Sequence, residues 1–141
     1  MKVMVLVKAT PESETGKMPS QELFEEMTKF NEALAEAGII KMGEGLHPTS
    51  AGYRVRFSGK QRTVTQGPFE QINELVAGFW LWEVKSMEEA IEWVKRCPNP
   101  MESDSDIEIR RLYEMHDFAD VLSDDLQERE QKLRTVIEDK P

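Results

Sequence analysis

The stretch Val76-Ala77-Gly78-Phe79-Trp80-Leu81-Trp82-Glu83-Val84 is the most hydrophobic of the chain, and its reading decides the fold. Successive side chains of a strand point to opposite faces, so Trp80, Trp82 and Val84 share one face while Phe79 and Leu81 share the other. Such a strand needs cover on both sides. The N-terminal residues 2–8 repeat the pattern, with Val3, Val5 and Val7 on one face and Met4 and Leu6 on the other. Their apolar run is too short for a membrane span or a signal-peptide core, and no small-residue cleavage site follows, so it reads as a first strand.

Between these strands, residues 9–19 read as a polar loop with Pro11, Gly16 and Pro19. The spacing of Leu23, Met27, Phe30, Leu34 and Ala37 predicts a helix from Ser20 to Ala37, capped by Ser20 and ended by Gly38. Residues 39–46 read as a second strand. Residues 52–57 and 61–66 read as a hairpin with Ser58-Gly59-Lys60 at its turn and Val55 opposite Val64. Gln66-Gly67-Pro68-Phe69 then breaks the strand. Beyond residue 84, Ser86 and Glu89 form a capping-box pattern for a helix to about Cys97, with Met87, Ala90, Ile91, Val94 and Cys97 as its buried stripe and Pro98 as its stop. Residues 98–105 read as a loop and 106–113 as a last strand. Ser123 caps a final helix to about Asp139, with a thin stripe of Leu126, Leu133 and Ile137.

The order is a split β-α-β repeat with an inserted hairpin, hence a ferredoxin-like α+β domain over residues 1–113 with an acidic helical extension over 114–141. Both helices of such a repeat lie on one sheet face. The other face, carrying Met, Leu and Phe, calls for a second copy of the chain packed against it, a homodimer.

A chain of 141 residues suits one domain of this kind. Its single cysteine, Cys97, forms no internal disulfide, and a cytoplasmic location is expected. The net charge of −9 is uneven: residues 102–141 hold 13 acidic and 6 basic side chains, the rest 14 and 12. That balance argues against a nucleic-acid partner, and no segment calls for a membrane. One Cys and two widely spaced His match no zinc pattern, and no cofactor motif is present, so neither metal nor cofactor is expected.

The ordered set Gly43-Glu44-Gly45-Leu46, Arg54-Val55-Arg56 through Gly59-Lys60, Gly67-Pro68-Phe69, Gly78-Phe79-Trp80, Glu89-Ala90 with Trp93, and Glu108-Ile109-Arg110 resembles the YCII-related proteins, and most of all the branch named for its Asp-Gly-Pro-Phe (DGPF) motif. The tail from Asp117-Phe118 through Leu133 is similar to C-terminal extensions in that branch. The resemblance implies a dimeric α+β barrel with a cleft between the sheet and its loops. It also implies that some relatives act on small aromatic or lactone-like molecules with a His–Asp pair, and that some members are linked to extracytoplasmic-function sigma factors. Here Gln66 stands at the motif's Asp, and residues 20–37 hold no histidine, so that pair does not carry over. A glutamine cannot serve as a general base.

The candidate cleft residues are Glu44, His47, Gln66, Phe69 and Glu83; none is assigned a catalytic role. Glu44, between two glycines at a strand end, suits a carboxylate beside a ligand that approaches the backbone closely, though an exposed Glu on a bulge is the commoner meaning of that pattern. His47 belongs to the side-chain type that changes charge near neutral pH, though alternation sets it on the face opposite Glu44. Glu83, at the end of a buried strand, must be paired or near solvent. Arg54, Arg56, Arg62 and Lys60 crowd one hairpin, as anion ligands or as solvated edge charges. The function expected is binding of a small organic molecule, with lyase- or isomerase-like proton transfer if it is catalytic. The alternative is a non-catalytic regulatory or interaction module whose acidic tail is the contact surface.

Overall fold

β-Branched Val3, Val5 and Val7 alternate along Lys2–Lys8 (β1), and this strand lies at the centre of a four-stranded antiparallel sheet. The computed structural model describes all 141 residues. β1 pairs on one side with Val76–Glu83 (β5) and on the other with Ile107–Arg111 (β6); Ile40–Gly45 (β2) pairs with the far edge of β5. The spatial order β2-β5-β1-β6 is that of a ferredoxin-like split β-α-β repeat, and the expected fold class holds. Gln21–Glu36 (α2) and Met87–Lys95 (α3) supply the helical layer.

Register explains which residues form the core. Val3 faces Trp82, Val5 faces Trp80 and Val7 faces Gly78 across the β1–β5 ladder. That face meets Phe30 and Leu34 of α2 and Ala90 of α3 in one buried cluster. Phe30 is the hub: its ring lies 5.9 Å from Trp80, 6.3 Å from Trp82 and 6.4 Å from Trp93, between centroids. These tilted and edge-on arrangements are the favourable ones for aromatic quadrupoles. The opposite face carries Met4, Leu6, Phe79 and Leu81, all half-buried, and neither α2 nor α3 packs on it.

Local chemistry sets the element ends. Ser20 and Ser86 each accept a hydrogen bond from the backbone N–H three residues on, at 3.1 Å. Gly38, at φ 72°, turns the chain out of α2 in the left-handed conformation that glycine tolerates. Gly59, at φ 57°, does the same in the two-residue loop joining Tyr53–Ser58 (β3) to Gln61–Gln66 (β4). In that hairpin Val55 faces Val64, as expected, but the two strands form a sheet of their own with every residue exposed.

The structure departs from the sequence expectation in several places. The segment read as a polar loop contains a short helix, Pro11–Glu14 (α1), whose Thr10 cap and Ser13 exchange both bonds of a capping box. In α3 only the Ser86 half of the predicted box forms. Ile91 is 41% exposed, and Trp93 takes its place against the core because its ring reaches the edge of Phe30. The last strand ends at Arg111, two residues early.

Residues Met1–Arg111 and Leu112–Pro141 form two compact units. In the second, Met115–Phe118 is a 3-10 turn and Asp124–Glu138 (α4) a helix capped by Ser123, as expected. No residue of α4 is buried; Leu133, Val136 and Ile137 are exposed along it. No helix is long and apolar enough to cross a membrane.

Candidate functional site

A cavity of about 740 Å³ opens between the N-terminal half of α2 and the sheet edge where β2 meets β5. Its floor is a stretch of sheet edge at which three positions lack side chains. Gly43 and Gly45 of β2 and Gly78 of β5 all lie on the helix side of the sheet, since they pair with Trp80, with Gly78 and with Val7 respectively. A β-carbon at Gly43 would stand 2.6 Å from Cδ1 of Trp80, and one at Gly78 would stand 3.1 Å from the carbonyl oxygen of Glu44. A β-carbon at Gly45 would meet nothing within 4 Å, because it would point into the cavity.

A β-bulge decides that the glycines face inward. The β2–β5 register slips between Ile40, opposite Trp82, and Met42, opposite Leu81. The extra residue, Lys41, flips the alternation, so Ile40 and Gly43 both look toward the helices. Without the slip, Met42 and Glu44 would fill the same space.

The wall opposite is the face of α2 that carries Leu23, Met27 and Asn31. Asn31 is the polar group of this wall, and its Oδ1 accepts a hydrogen bond from Nε1 of Trp80 at 2.9 Å. The far end is closed by an ion pair between Lys17 and Glu102, 2.8 Å apart, which ties the loop after α1 to the loop before β6. Both partners are exposed, so the pair is worth at most about 1 kcal/mol.

The mouth is held by a network absent from the sequence expectation. The carboxylate of Glu14 accepts from the backbone N–H of Thr49 at 3.1 Å and from its hydroxyl at 2.8 Å. The Thr49 hydroxyl oxygen in turn accepts from the N–H of Phe69 at 3.0 Å. Gly52 N–H bonds Thr49 O, and Gly67 N–H bonds Gly52 O. A β-carbon at Gly67 would collide with the Thr49 carbonyl, so the residue must be glycine for the two loops to meet. Leu46-His47-Pro48 is therefore fixed at the rim.

Of the five sequence candidates, the fold brings Glu44 and His47 to this cavity and leaves three elsewhere. Glu44 contributes from the edge strand, but its register partner is Phe79, which sets its side chain on the sheet face away from the helices. His47 lies beyond the last β2 pair, exposed at the rim. Gln66 ends β4 opposite Tyr53, exposed. Phe69 lies under the Arg54 guanidinium, 3.9 Å from ring centroid to Cζ, and reaches the rim only through its bond to Thr49. Arg54 is thus occupied by Phe69 and, at 4.0 Å, by Glu74. Glu83 sits at the other end of β5, opposite Lys2, with Oε2 buried and without a hydrogen-bond partner. Glu14 and Thr49, which hold the adjoining loop without lining the cavity, and the lining residues Asn31 and Gly78 are what sequence reasoning missed. The only sequence signal for them was Gly78 beside Trp80 and one polar residue within the apolar stripe of α2.

A ferredoxin-like α+β domain with a cavity between its first long helix and a glycine-paved sheet edge is the class these features define. The sequence profile of the YCII-related domain matches residues 1–116, most of the chain, which belongs to that family. Over 97 residues the chain is also 27% identical to an uncharacterised protein of Rhizobium meliloti (strain 1021), an alignment covering 69% of this chain and 78% of that one.

Proposed function

We propose that this YCII-related domain binds a small, mainly apolar organic molecule in the cavity between α2 and the β2–β5 edge. The observation that carries the reading is the glycine floor. Gly43 and Gly45, set inward by a bulge, and Gly78 add no side chains to this sheet edge, so that Trp80 occupies the space beside Gly43 and the space beside Gly45 stays open. The lining supports such a guest, with Leu23, Met27 and Leu46 as apolar contacts and with Asn31 and His47 among polar groups that also include Glu12, Lys17 and Glu102. Residues with proton-accepting side chains along the lining are His47, Glu12, Glu44 and Glu102, so a reaction on the bound molecule would be a proton transfer of the lyase or isomerase kind.

A fluorescence thermal-shift screen of small aromatic and lactone-like compounds tests the reading, with Gly45→Leu as the control. Hits should raise the melting temperature of the wild-type chain. The leucine should occupy the cavity and abolish those shifts while the variant remains folded. Hits that stabilise Gly45→Leu equally would place their binding elsewhere.

A second reading concerns self-association. The sheet face with Met4, Leu6, Phe79 and Leu81 carries neither helix, and this supports a homodimer packed through it. Multi-angle light scattering on the wild type and on Leu6→Lys separates the cases: a dimer that the lysine dissociates supports the reading, and a wild-type monomer at micromolar concentration refutes it.

A further inference from the structure

The cavity has one polar group whose orientation is dictated from behind. Asn31 lies on α2 next to buried Phe30, and its Oδ1 accepts from Trp80 Nε1 at 2.9 Å. An indole nitrogen can only donate, so the amide oxygen must face it and the amide NH2 must face away. Trp80 cannot yield. It is buried, edge-on to Phe30 with an interplanar angle of 75°, and its Cδ1 lies where a β-carbon on Gly43 would come within 2.6 Å. The Asn31 NH2 donates to no group of the protein, and Asn31 lines the cavity. The site therefore presents a fixed donor with no matching fixed acceptor on the same side chain.

We propose that Asn31 is a specificity-determining residue of this cavity, selecting apolar molecules that carry a carbonyl-type oxygen over isosteres that lack one. The proposal rests on the reading of the cavity as a ligand site. An acceptor oxygen completes the hydrogen bonding of the amide, whereas an all-carbon isostere strips water from the NH2 and returns nothing. A difference of about tenfold in affinity is expected for one such bond.

The matched probes 1-indanone and indane, which differ only by the carbonyl oxygen in place of two hydrogens, test this by 15N–1H NMR titration of the full chain. In the wild type both should shift the Trp80 indole signal, 1-indanone should bind about tenfold more tightly, and it alone should shift the Asn31 NH2 pair. Asn31→Asp keeps an oxygen for the Trp80 N–H and removes the donor, so the affinity ratio should fall to about one or below. Equal affinities in the wild type, or a tenfold ratio that survives in Asn31→Asp, overturn the proposal while leaving the cavity a binding site. If neither probe moves the Trp80 signal, the cavity reading fails and this one with it. Should Asn31→Asp not fold, the wild-type NH2 shifts decide alone: a shift with 1-indanone and not with indane supports the proposal, and the same response to both refutes it.

Discussion

At Trp82 the helix-facing side of β5 is wholly buried, and four residues earlier on the same side, at Gly78, it is the floor of a cavity. The same strand, ladder and helical layer serve both ends. What differs is side-chain volume: Trp82, Val3 and Leu34 fill the closed end, while the open one has glycine at 43, 45 and 78, with Trp80 beside Gly43 and open space beside Gly45. Trp80 is the boundary, with its ring in the aromatic cluster and its N–H bonded to the cavity wall. A cavity in a domain this small does not weaken the core when the core is concentrated at one end and the opening is made by residue choice along a continuous sheet.

The contrast can be broken at the closed end first. Leu34→Ala should destabilise the chain by about 2–5 kcal/mol in urea unfolding, because Leu34 is fully buried and its neighbours cannot collapse into the gap. At the boundary, Gly43→Ala should cost about 1–3 kcal/mol by overpacking against Trp80. The variant should also displace the indole N–H signal as the bond to Asn31 is strained. At the mouth, Glu14→Ala should cost about 1–2 kcal/mol, since the Thr49 N–H and hydroxyl lose a charged acceptor but remain near water. Proteolysis within residues 46–52 should become faster in the same variant. Gly45→Leu should change stability by under about 1 kcal/mol, and a loss like that of Leu34→Ala would mean that the open end is core after all.

The last case is Cys97, which packs against the closed end and whose thiol burial pushes up to about 12. Its ionisation is thereby favoured in the unfolded chain. The stabilisation due to this group is whole below about pH 9 and is lost as pH rises from there toward 12. At pH 8 the native chain should react with a thiol reagent far more slowly than the urea-unfolded chain; equal rates would contradict the burial.

The closed end was legible in the sequence and the open end was not, for a physical reason. Alternation in residues 2–8 and 76–84 and the stripe Phe30–Leu34 report periodic burial, which the sequence encodes locally, as it does the Ser20 and Ser123 caps and the Val55–Val64 register. The cavity depends on a one-residue slip at Lys41, set by what packs around β2 rather than by its own composition. The Glu14–Thr49 contact spans 35 positions and joins a segment read as polar loop to residues between the second strand and the hairpin. Asn31 is a single polar residue in the sequence of α2, and only the fold places Trp80 behind it. Glu83 and Gln66 were sound candidates by residue type, yet strand length alone sets Glu83 at the opposite end of β5, and the hairpin carries Gln66 into a separate sheet.

The bonds among Glu14, Thr49 and Phe69 bear on the kinetics of entry. Were the cavity to take a guest as proposed, a rim already immobilised by folding would lose little further chain entropy, and association would not be delayed by a slow loop rearrangement. Such a portal would discriminate by shape at encounter, and residence time would then be governed by the contacts inside.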